Sequence, residues 1–109
     1  MLPSIESVLE SYEREVLEKG DIDSANFFIA LLCGYAAYLW KHRLVSAENL
    51  QEYFDTLREE IIEGPDYLNP YVMELMSIIA QGLTDASFEE FKNKLRMVLK
   101  EDRLDILEV

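Results

Sequence analysis

The chain has 109 residues and a formal net charge of −12, from 22 acidic and 10 basic residues. Half of the residues are hydrophobic, which excludes a disordered chain, and the sparse Gly (4) and Pro (3) favour helices over a turn-rich sandwich. The acidity argues against a nucleic-acid backbone or an anionic membrane surface as a ligand, because both need clustered Lys and Arg.

These features predict an all-α fold, a compact helical bundle of about five helices in a single domain spanning residues 1–109. The N-terminal Met-Leu-Pro-Ser-Ile-Glu has no basic region or apolar core of a signal peptide, so the expected location is cytoplasmic. The longest apolar stretch, Phe27 to Trp40, is shorter than the ~20 residues of a membrane span.

The first helix is expected over residues 4–19. Ile5, Val8, Leu9, Tyr12 and Val16 form one apolar face, with Glu6, Glu10, Glu13 and Glu18 off it. Gly20 then serves as the cap. Asp21, Asp23 and Ser24 supply cap candidates for a second helix that runs to about Arg43 or Leu44. This helix is apolar nearly all round, as a buried central helix is. Its small residues Ala30, Gly34 and Ala37 share one side, where another helix approaches closely. That helix belongs either to the same molecule or to a second copy, as in a homodimer. Cys33 is the only cysteine and sits among apolar residues, which predicts a buried, inert thiol. Tyr35, Tyr38 and Trp40 lie on the same helix and are expected to pack in the core or an interface.

Ser46 opens the third helix, with Leu50, Tyr53, Phe54, Leu57 and Ile61 as its stripe, and Gly64-Pro65 ends it. Asp66-Tyr67-Leu68 connects to Asn69-Pro70, a cap and first helical position. The fourth helix, with Tyr71, Val72, Met73, Leu75, Met76, Ile78 and Ile79, is apolar over most of its circumference and ends at Gly82. Ser87 and Glu90 have the spacing of a capping box for a fifth helix, with Phe88, Phe91, Leu95, Val98 and Leu99 inward. The tail from Leu104 to Val109 extends that helix, forms an arm or docks on a partner.

Glu59-Glu60-x-x-Glu63, followed by Glu74 on the next helix, resembles part of the metal motif of MazG-like nucleotide pyrophosphohydrolases. The resemblance implies an all-α, magnesium-dependent enzyme in which Glu59, Glu60, Glu63 and Glu74 hold the metal against a triphosphate. The chain departs from the pattern at Ser77, where the family has aspartate. Helix geometry at ~100° per residue also turns Glu52, Glu59 and Glu63 away from the apolar stripe, towards solvent.

His42, the only histidine, excludes catalytic triads and two-histidine metal sites. His42-Arg43-Leu44-Val45-Ser46 also lacks the Lys and Gly of the H-x-x-K-G pattern of phosphotransfer domains. With Lys41 and Arg43, His42 is expected at a helix C-terminus, where positive charge suits the dipole. Neither a Gly-rich phosphate loop nor a serine nucleophile elbow is present.

Charge is distributed unevenly. Residues 1–67 hold 14 acids and 5 bases, against 8 and 5 in residues 68–109. Lys92, Lys94, Arg96, Lys100 and Arg103 give the last helix a different character. The acidic field concentrates on helices one and three, which form one broad surface if they are neighbours.

The expected function is that of a noncatalytic interaction module needing no cofactor, of the inhibitor, immunity-protein, antitoxin or defence-complex-subunit type. Its partner is a basic protein or a multi-subunit complex, bound through Glu6, Glu10, Glu13, Glu52, Asp55, Glu59 and Glu63. A nucleotide pyrophosphohydrolase and a structural homo-oligomer are the alternatives.

Overall fold

A computed structural model describes residues 2–14, 22–62 and 70–99, with the side chains of 22–25 and 62 outside the description. Among the described residues there are five helices and no strand: α1 (Ile5–Tyr12), α2 (Ile22–Lys41), α3 (Ala47–Ile62), α4 (Pro70–Ala80) and α5 (Asp85–Val98). The expectations for Val16, Glu18, Gly20, Asp21, Glu63 to Asn69, Lys100, Arg103 and the tail lie outside the described residues.

Four of the helix starts have a local chemical cause. The Ser7 backbone N–H donates to Ser4 Oγ (3.1 Å), capping α1, and the Asn49 N–H donates to Ser46 Oγ (3.1 Å), capping α3. Pro70 is the first residue of α4, where its missing N–H removes no helical bond. The box that opens α5 lies three residues earlier than Ser87–Glu90. Thr84 is the cap: the Ser87 N–H donates to Thr84 Oγ1 (3.2 Å), and the Thr84 N–H donates back to Ser87 Oγ (2.8 Å).

The end of α2 also differs from expectation. The helix stops at Lys41, before Arg43, without a glycine to stop it. Arg43 takes a left-handed backbone at φ 58°, and two bonds close the turn. The Arg43 N–H donates to the Trp40 carbonyl (3.0 Å) and the Leu44 N–H to the Leu39 carbonyl (2.8 Å), the Schellman pattern. A residue with a Cβ in this conformation costs about 1–2 kcal/mol. At the end of α4, Gly82 fills the corresponding role at φ 100°.

One contiguous cluster of buried side chains draws on all five helices. Val8 and Tyr12 come from α1, and Ile29, Cys33 and Ala36 from α2. Leu50, Phe54, Leu57 and Ile61 are the α3 stripe, as the spacing predicts. Val72, Leu75, Met76 and Ile79 fill the centre from α4, which packs against α2, α3 and α5. Phe88, Phe91 and Leu95 complete the cluster from α5. The apolar circumference of α2 predicts enclosure on every side, but Phe27 and Tyr35 are 36% and 39% exposed. Among the described residues, no helix is long and apolar enough to cross a membrane.

Candidate functional site

The acidic side chains of α1 and α3 are arranged by helix periodicity. At ~100° per residue, Glu6 and Glu10 on α1 and Glu13 at its C-cap occupy an arc of about 60°, off the face that buries Val8 and Tyr12. On α3, Glu48, Glu52, Asp55 and Glu59 occupy an arc of about 60°, opposite the Leu50-Phe54-Leu57-Ile61 stripe. All seven are exposed.

The two helices are neighbours, with α3 the main packing partner of α1. Their seam is pinned by Tyr53, whose hydroxyl donates to the Pro3 carbonyl (2.6 Å). Burial of Tyr53 pushes its phenol up to about 12, since the ionised form would be poorly solvated there. Six of the seven proposed contact residues are therefore exposed on two adjacent helices, and Glu63 lies outside the described residues. Glu48 was missing from the candidates. Its i, i+4 spacing to Glu52 was the available signal.

A shallow groove of about 470 Å³ runs beside this surface, lined by Glu48, Asn49, Gln51, Glu52, Asp55 and Ala80. Asp55 accepts from Arg58 (3.1 Å), an exposed i, i+3 pair of small energetic weight.

The described carboxylates of the metal motif, Glu59, Glu60 and Glu74, are not gathered in the same way. Glu59 and Glu60 are exposed on α3. Glu74, on α4, accepts a 2.7 Å bond from Lys94 Nζ of α5, so its partner is an ammonium. That hydrogen bond is the main reason the Lys94 pKa lies above its ordinary value. Ser77, which stands where the family has aspartate, meets Arg58 Nη1 at 3.4 Å and Gln81 Nε2 at 3.2 Å. Basic and amide groups thus surround the second half of the motif. Among the described residues, no group of three or more His, Cys, Asp or Glu side chains is placed to hold a metal ion.

The small-residue stripe has its own occupants. Ala30, Gly34 and Ala37 are buried within the monomer. Their burial favours the reading in which the close approach is used inside the molecule over an oligomer contact. Cys33 is buried beside them, and burial pushes its thiol pKa far up, since the thiolate would be unsolvated.

His42 is exposed just past α2, its ring 4.4 Å from that of Tyr38. Of the three aromatic residues expected to pack, Tyr38 and Trp40 are half-buried and Tyr35 is exposed. Comparison with protein-family models, curated proteins and solved structures found no match.

Proposed function

We propose that the chain is a noncatalytic interaction module that docks a basic protein on the acidic surface of α1 and α3. The observation that carries the reading is the adjacency of these two helices, each with its carboxylates confined to one exposed arc. A lysine- or arginine-rich partner would be drawn in by the field of the −12 chain and oriented by Glu6, Glu10, Glu13, Glu48, Glu52, Asp55 and Glu59. Such a mode of action suits an inhibitor, an immunity protein, an antitoxin or a subunit of a defence complex. The pairing of Glu74 with Lys94 weighs against the pyrophosphohydrolase reading, because a metal ligand would first have to give up its ammonium.

The test is purification of the tagged chain from its own cells at low salt, alongside the triple variant E52K/D55K/E59K. The wild type is expected to recover a basic partner in stoichiometric amount, and the variant to lose it. Salt is expected to weaken the complex, since exposed charges are screened within ~8 Å at physiological ionic strength. Recovery of the bait alone, or equal recovery by the variant, overturns the reading.

A further inference from the structure

We propose that the corner where α2 ends is a second docking surface, for an acidic peptide segment of another protein. One carboxylate of that segment pairs with Arg43, and a neighbouring apolar side chain packs on Trp40 and Leu44. The surface borders the acidic arc of α3 at Ala47 and Asn49, but the one charged side chain lining its α3-side recess is a base.

Two recesses meet at this corner, and Trp40 and Arg43 line both. The recess towards α3, about 490 Å³, is otherwise lined by Leu44, Val45, Ala47 and the polar Ser46 and Asn49. Arg43 is the one charged side chain among those lining residues. The recess towards α5, about 510 Å³, adds Lys41 and Phe88 but also Asp85 and Glu89. The α5 side balances Lys41 and Arg43 against Asp85 and Glu89, so an acidic segment is favoured on the α3 side.

The side chains at the corner differ in how far they are already engaged. Lys41 Nζ lies 5.6 Å from the Phe88 ring centroid, and the Phe88 ring is 5.5 Å from that of Trp40. The His42 ring is tilted at 47° against that of Tyr38. Arg43 makes no side-chain hydrogen bond or ion pair with the described residues, although it holds a backbone conformation that glycine would hold at lower cost. Folding therefore accounts for the turn at residue 43 but leaves the guanidinium unused. Beside it, Leu44 is 51% exposed. A planar fork of donors next to a half-buried indole and an exposed leucine is what a carboxylate followed by an apolar residue fits.

Trp40 is the only tryptophan, so its emission reports on both recesses. The probe is an acetylated, amidated hexapeptide alternating Glu and Leu, with a Lys-Leu counterpart as control. The acidic peptide is expected to give a saturable change in Trp40 emission that weakens with salt, and the Lys-Leu peptide to give none. R43G keeps the left-handed turn, which circular dichroism checks, and is expected to bind about tenfold more weakly, the loss of a charge-assisted hydrogen bond. L44S weakens binding, whereas E52K/D55K/E59K, which lessens the repulsion of an acidic peptide by the −12 chain, does not weaken it, so failure here is distinct from failure of the α1–α3 surface. The proposal is overturned if the acidic peptide gives no saturable change, if R43G binds as wild type does, or if both peptides act equally. Concentration-dependent dimerisation that R43G abolishes would assign the corner to a second copy instead.

Discussion

At the scale of single residues, Arg43 and Tyr53 carry costs and contributions that their types do not advertise. Arg43 occupies a left-handed position at φ 58° within a closed Schellman turn. Replacement by glycine removes the clash of its Cβ with the backbone. Arg43→Gly is expected to stabilise the protein by about 1 kcal/mol, seen as a higher urea midpoint with an unchanged slope. Tyr53 behaves differently. Its phenol is raised from 10 to about 12, so the native state keeps a proton that the unfolded chain loses first. The stability carried by Tyr53 is complete below pH 10 and falls as the pH rises towards about 12. Tyr53→Phe is expected to flatten urea-measured stability across that alkaline range. At neutral pH it costs about 1 kcal/mol through loss of the bond to Pro3.

At the scale of elements, the helix ends show what was legible. Ser46, Pro70 and Gly82 announced their roles because each has one local use that no alternative nearby rivals. The start of α5 was harder, because Thr84–Ser87 and Ser87–Glu90 have the same spacing and the second pair has the commoner chemistry. Thr84→Ala is expected to cost about 1 kcal/mol in chemical denaturation, while Glu90→Ala costs little, since the cap bonds run between Thr84 and Ser87. Arg43 gave no sign of ending α2, because arginine favours helix and only tertiary context holds it left-handed. Helix periodicity was enough to place Glu52 and Glu59 opposite the α3 stripe. It was silent on which helices are neighbours. The contact between Tyr53 and Pro3 joins residues 50 apart in the chain, and nothing in either segment encodes the other. The same gap left the fate of Ala30, Gly34 and Ala37 open between an internal and an external partner.

At the scale of the whole molecule, the excess of carboxylates sets a penalty on compactness. With a net charge of −12, folding brings like charges together on α1 and α3. Raising the salt from about 0.01 M to about 0.15 M shortens the screening length from ~30 Å to ~8 Å. The urea midpoint of the wild type is expected to rise across that range. The isosteric triple variant E52Q/D55N/E59Q is expected to be more stable than wild type at the low-salt end and to converge with it at the high-salt end. Parallel curves for the two proteins would show that these three carboxylates do not strain the fold.

The attachment of α1 has a kinetic consequence. This eight-residue helix is fastened mainly to α3, through a short apolar face and the Tyr53–Pro3 bond, while α4 is held by three helices. Helix α1 is thus the element that opens at least cost, and its amide hydrogens would exchange with solvent through an excursion that leaves α4 closed. Three of the seven carboxylates of the acidic surface would then open independently of the other four. A partner that bridges α1 and α3 would act as a latch, slowing hydrogen exchange in a helix whose shape it leaves unchanged.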